Sequence, residues 1–131
     1  MRFVDTSFWV ALQLARDEHH ALARDLWQSA RGSLFTTNHV IGETWMFLRR
    51  RSGHAAAWRF VDAATRSPRL AVEHVSDAVE HEAWDWLQRH DERPYSFVDA
   101  TSFATMRRRR LTEALAFDGD FGAAGFVEMR P

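Results

Sequence analysis

The chain has 131 residues, 46% hydrophobic and 27% charged, which suits one compact domain (residues 1–131) with a real core and leaves too little for two. It holds no Cys, so disulfides and thiolate metal sites are excluded and any metal must take oxygen or imidazole ligands. The net charge of −1 gives no overall nucleic-acid footprint, and all 17 basic residues are Arg, which counts against enzymes that need a catalytic Lys.

Arg2 to Thr6 reads as a short buried strand, followed by an apolar helix from Ser7 to about Arg16. The chain starts Met1-Arg2 and then turns apolar. Asp5 interrupts that run, and Asp17-Glu18 stand where a small-residue cleavage site would be, so mature structure is expected rather than a leader. A second helix is expected over His19–Ala30, with a strand over Ser33–Thr36. Asn38 is the expected N-cap of a helix running through Arg51, with Val40, Ile41, Thr44, Trp45 and Leu48 as its apolar stripe. A helix over His54–Arg66 stops at Ser67-Pro68, and Leu70–Val75 reads as a strand. Ser76 caps a helix through about His90, and a further helix spans Ser96 to about Arg109. Ala114–Phe117 and Phe126–Met129 read as two last strands around an Asp118-Gly119-Asp120 turn. Strands alternating with helices predict an α/β fold, a parallel sheet with helices on both faces. No stretch reaches the roughly 20 apolar residues that span a bilayer, so a soluble protein is expected.

Four acids stand where acids are costly. Asp5 is the only charged residue between Arg2 and Arg16, and Asp99 the only one between Arg93 and Arg107. Glu43 is the only Asp, Glu, Lys or Arg between Arg31 and Arg49, and Asp118 with Asp120 sits in a segment free of basic residues from Arg110 to Arg130. Carboxylates on half-buried elements need a hydrogen bond, a counterion or a metal. Each has a structural reading as well: Asp5 as a helix cap, Ser96 to Asp99 as a capping box, Asp118-Gly119 as a turn. Glu43, in mid-helix beside an apolar stripe, has no cap to make. In parallel sheets ligands bind beyond the carboxyl ends of the strands, where Asp5 and Asp118 are placed. Convergence of these acids would demand proton uptake or a divalent cation, and oxygen-only ligands favour Mg2+ or Mn2+. Such a site suits phosphodiester hydrolysis, because the cation neutralises phosphoryl oxygens and activates a water. Phosphate-binding GxxxxGK[ST], dinucleotide GxGxxG and nucleophile GxSxG motifs are absent. The seven His are scattered and read as core or surface residues, and the six Trp as core. The runs Arg49–Arg51 and Arg107–Arg110 end two helices, where cations are favoured; the second lies on the order of 12 to 16 Å from Asp99, within reach of flanking phosphates.

Val4-Asp5-Thr6-Ser7, Asn38-His39-Val40-Ile41-Gly42-Glu43, Ser96-Phe97-Val98-Asp99-Ala100-Thr101-Ser102 and Ala116-Phe117-Asp118-Gly119-Asp120-Phe121 resemble, in this order, the motifs of the PIN domain family. The chain is similar in particular to the ribonuclease toxins of VapBC toxin-antitoxin pairs, over essentially its full length and including Asp17-Glu18-His19-His20-Ala21. The resemblance implies a PIN-like three-layer sandwich and a Mg2+-dependent endoribonuclease, with Mn2+ as a plausible substitute. Asp5 and Asp99 would be direct ligands, Glu43 and Asp118 would complete the cluster directly or through water, and Asp120 is a secondary candidate. It also implies an RNA substrate, homodimerisation, a VapB-type antitoxin whose C-terminal segment covers the acidic groove, and a cytoplasmic location. Ala116 replaces the Thr or Ser that the family often carries two residues before its last acid; Thr6, Ser7 and Ser102 could supply a hydroxyl instead. The alternatives are a DNA or structure-specific nuclease, a catalytically silent PIN module that binds RNA or protein, and a metal-dependent phosphatase. The intact acids argue against the silent module, and the missing Lys against the phosphatase.

Overall fold

A computed structural model of the protein describes residues 1–129; Arg130 and Pro131, the last two residues of the expected domain, lie outside it. Among the described residues, five strands form one fully parallel sheet: β1 (Arg2–Val4), β2 (Leu34–Thr37), β3 (Leu70–Glu73), β4 (Glu113–Leu115) and β5 (Val127–Glu128), in the order β3-β2-β1-β4-β5. Seven helices flank it: α1 (Thr6–Gln13), α2 (His20–Ser29), α3 (Asn38–Ser52), α4 (His54–Arg66), α5 (Asp77–Arg89), α6 (Phe97–Arg109) and α7 (Asp120–Ala123).

β1 is central because Phe3 and Val4 are fully buried, and Phe3 lies in register with Phe35 on one side and Ala114 on the other. The chain winds outward from β1 through β2 to β3, then crosses back to lay β4 on the opposite flank of β1. The order therefore reverses between β1 and β4. Their carboxyl ends open a crevice there, the place where parallel sheets bind ligands.

α6 explains the charge-free run after Asp99. Eight consecutive residues, Asp99 to Met106, are buried, so the helix is enclosed on all sides. Its hydroxyls are satisfied within the helix: Thr101 and Ser102 donate to the Val98 carbonyl at 2.9 and 2.8 Å, and Thr105 donates to the Thr101 carbonyl at 2.8 Å. Small side chains let the neighbours close in while no polar group is left without a partner.

Four local expectations change. Thr37, not Asn38, caps α3 by accepting from the Val40 amide at 3.2 Å, which frees the Asn38 side chain to accept from the Val75 amide at 2.8 Å. α1 ends at Gln13 rather than near Arg16. The expected Asp118-Gly119-Asp120 turn leads directly into α7, with Gly119 at φ 84° as its N-cap, a left-handed conformation suited to Gly. The last strand shortens to Val127–Glu128.

Candidate active site

The end of β1 sets the first acid. Asp5 caps α1: its Oδ2 accepts from the Ser7 amide at 3.1 Å and from the Ser7 hydroxyl at 2.8 Å. Ser7 Oγ in turn accepts from the Phe117 amide at 3.0 Å, and the Asp5 amide donates to the Leu115 carbonyl at 3.1 Å. One hydroxyl thus joins the end of β1 to the loop after β4 and fixes Asp5 relative to Asp118. Ser7 places a hydroxyl beside the acids, next to the loop that carries Ala116. Ser102 is spent on its own helix, whereas Thr6 Oγ1 is buried without a partner among the described residues and Thr6 lines the cleft.

Asp5, Glu43, Asp99 and Asp118 line one cleft of about 340 Å³. They arrive from β1, α3, α6 and the loop after β4. Asp17, Glu18, His19, Phe47 and Phe117 complete much of the wall. Asp99 keeps its structural role as well, in a capping box with Ser96. Asp120 approaches the same centre: one carboxylate oxygen each from Asp99, Asp118 and Asp120 lie within 4.8 Å of one another. Its Oδ1, however, accepts from Arg93 Nε and Nη2 at 2.9 Å, and Arg93 Nη2 also reaches the Asp118 carbonyl at 3.4 Å.

The electrostatics follow from this crowding. Asp5 is 2% exposed, and burial followed by the Asp118 and Asp99 charges raises its carboxyl well above the usual range, against the Ser7 bonds. Burial pushes Asp99 up to about 6, with Asp120 and Asp118 adding to the shift and the Ser96 cap opposing it. Asp118 stands at the exposed rim, yet desolvation of its carboxylate outweighs the bond from the Asp120 amide and raises it too, with the Asp120 and Glu128 charges contributing. Three acids that resist ionising together are stabilised as carboxylates by a nearby cation.

The donor set fits a divalent metal. Asp5 Oδ1 is buried with no hydrogen-bond partner among the described residues, which is costly unless a ligand completes it. The donors are all oxygens, which suits Mg2+ and Mn2+.

The site also contains residues to which the sequence assigned no role. Asp17, Glu18 and His19 reach the cleft from the loop before α2, and Arg93 clamps Asp120 across a separation of 27 residues. Three of the arginines expected to reach flanking phosphates have partners within the protein. Arg107 stacks over Trp86, Arg108 pairs with Glu82 and Arg109 with Glu73, all from the last turn of α6. Arg50 and Arg51 instead border grooves that share Phe47 with the cleft.

Comparison with known proteins defines the class. The PIN domain model matches residues 2–127, and the chain belongs to the PIN domain family. It is 58% identical over 132 residues to the 23S rRNA-specific endonuclease VapC20 of Mycobacterium tuberculosis, covering 100% of this chain and 99% of that one. A VapC ribonuclease of Archaeoglobus fulgidus is 26% identical over 123 residues, 90% of this chain and 77% of that one. The crystal structure of M. tuberculosis VapC20, described as a Sarcin-Ricin loop cleaving toxin, superposes with a TM-score of 0.95 at 57% identity over the whole of both chains. The PIN-like α/β fold expected from the sequence is the fold observed.

Proposed function

We propose that the chain is a divalent-metal-dependent endoribonuclease, the toxin of a VapBC pair, and that its target is a loop of 23S ribosomal RNA. The observation that carries this reading is the convergence of Asp5, Glu43, Asp99 and Asp118 from four elements into one cleft at the switch point of the sheet, in a chain that shares 58% identity with a 23S rRNA-specific endonuclease over its whole length.

Asp5, Asp99 and Asp118, with Glu43, would hold Mg2+, with Mn2+ as substitute. The cation would neutralise phosphoryl oxygens and acidify a water, chemistry that would yield a 3′-hydroxyl and a 5′-phosphate. The protein's contribution is preorganisation. Ser7 holds the Asp5 carboxylate and the loop bearing Asp118 at a fixed separation, and Ser96 fixes the rotamer of Asp99. Arg93 draws one oxygen of Asp120 out of the cluster, which limits the negative charge left for the metal to balance. A VapB-type antitoxin with a basic segment would neutralise the same acidic cleft, and the protein would act as a homodimer in the cytoplasm. Among the described residues no helix is long and apolar enough to cross a membrane.

Sequencing the new 5′-phosphorylated RNA ends after brief expression tests the target. The expected result is one dominant cut in 23S rRNA; dominant cuts in transfer or messenger RNA would overturn the target, and no new ends would overturn the activity.

A further inference from the structure

Three rings rise in a stack from the core to the mouth of the acidic cleft. Phe8 is fully buried; its ring lies 5.7 Å from that of Phe117 at 28°, and Phe117 lies 4.7 Å from the His19 imidazole at 13°. His19 ends the stack. Its side chain is 34% exposed, it lines the cleft with Phe117, and Phe117 is the residue directly before Asp118.

The mount is rigid. The His19 amide donates to Asp17 Oδ1 at 2.8 Å, the Asp17 amide to the Leu14 carbonyl at 3.0 Å, and the His20 amide to the Asp17 carbonyl at 3.0 Å. His20 Nδ1 sits 2.8 Å from the Ala11 carbonyl and anchors the start of α2 to α1. His19 occupies the N-cap position of α2, yet its side chain makes no capping bond. The ring is committed to the stack, with Nδ1 3.9 Å from Asp17 Oδ1 and 3.8 Å from Glu18 Oε1.

We infer that the His19 ring, backed by Phe117 and Phe8, is the platform on which one nucleobase flanking the scissile phosphate stacks, and that it helps to select an unstacked base. The inference rests on the RNA-cleaving reading above. Stacking suits every base, because each has a π face, and it requires a face free of neighbours. A base inside a duplex has neither face free. The scissile position therefore lies in a loop, bulge or single strand, where bases splay out onto aromatic side chains. The acidic wall leaves little cationic attraction around His19, so ring contact is what holds the base there. A platform acting on binding alone alters KM and leaves kcat nearly unchanged.

The test uses a short RNA carrying the mapped cut site and a series in which each flanking nucleotide is made abasic in turn. Binding is measured in Ca2+ and cleavage in Mg2+, for the wild type, His19→Ala and His19→Phe. The expected result is that His19→Ala weakens Kd and raises KM by about 5- to 100-fold with kcat within about threefold, and that His19→Phe restores both. One abasic position should weaken wild-type binding by a similar factor and lose its effect in His19→Ala. If wild type cleaves while His19→Ala binds within about twofold of it, the platform is overturned and the nuclease stands. If His19→Phe is as weak as His19→Ala, the imidazole nitrogens act rather than the ring, which also overturns it. If wild type neither binds nor cleaves the RNA, both readings fall together.

Discussion

Ser96 and Asp99 close a reciprocal cap at the start of α6: the Ser96 hydroxyl accepts from the Asp99 amide at 2.9 Å, and Asp99 Oδ2 accepts from the Ser96 amide at 3.0 Å. The same carboxylate lines the acidic cleft. Asp5 divides itself in the same way, with Oδ2 on Ser7 and Oδ1 unpaired, and Asp118 Oδ1 accepts from the Asp120 amide at 3.1 Å. Structural cap and site acid are thus one residue using two oxygens. The two readings of these acids do not exclude each other.

Replacing Asp99 by Asn therefore sets two effects against each other. Asn keeps an acceptor for the Ser96 amide, so little of the roughly 0.5 to 2 kcal/mol of a cap is lost. Removing a buried charge whose carboxyl is pushed from 3.8 to about 6 relieves on the order of 3 kcal/mol at neutral pH. Metal-free Asp99→Asn is expected to melt at or above the wild-type temperature, to respond weakly to Mg2+ and to cleave no RNA. Thermal melts with and without Mg2+, beside a cleavage assay, check it; a destabilised variant that still cleaves would return Asp99 to the cap alone.

Ser7→Ala should have the opposite effect on stability. It leaves the Phe117 amide without its acceptor, at a cost of about 1 to 3 kcal/mol, leaves Asp5 Oδ2 only the amide of residue 7, and loosens Asp5 relative to Asp118. Both stability and activity should fall. Ser102→Ala, which loses only a bond to the Val98 carbonyl of its own helix, should change activity little. Urea denaturation and initial rates separate the two.

Much of this was legible in the sequence because lone charges in apolar segments are conspicuous: Asp5, Glu43, Asp99 and Asp118 were found that way, and all four line the cleft. What was not legible depends on contacts between distant segments. Nothing local marks Arg93 as the partner of Asp120, nor Glu73 and Glu82 as partners of Arg109 and Arg108. α7 is four residues long, too short to show a periodicity, and its Gly119 also reads as a plain turn. At Thr37-Asn38 two capping residues stand side by side, and only the fold decides which hydroxyl or amide meets the helix.

The pH dependence follows from the raised acids. A carboxyl raised in the folded state binds its proton more tightly there than in the unfolded chain. Its contribution to stability is therefore fully present below about 4 and is lost as pH rises through about 6 for Asp99, with Asp5 and Asp118 acting in the same direction. Metal-free protein should lose stability over that range, and the rise in melting temperature on adding Mg2+ should grow as pH passes about 6. A Mg2+ effect that is flat between pH 5 and 8 would argue against metal at these acids.

The arginines divide by location. Arg50→Ala with Arg51→Ala, beside the cleft, should weaken RNA binding and reduce its salt slope by about 0.7 per lost phosphate contact on a single strand. Arg108→Ala with Arg109→Ala should leave the slope unchanged, because those side chains, in the last turn of α6, pair with Glu82 and Glu73. Filter binding over a range of salt concentrations distinguishes them.

The most direct measurement is single-turnover cleavage of 23S rRNA by the purified, antitoxin-free protein in Mg2+, in Mn2+ and in excess EDTA, with Asp5→Asn alongside. A metal centre built from Asp5, Glu43, Asp99 and Asp118 gives one cut in either metal, none in EDTA and none from Asp5→Asn in any buffer. Undiminished cleavage in EDTA, or a fully active Asp5→Asn, would contradict it.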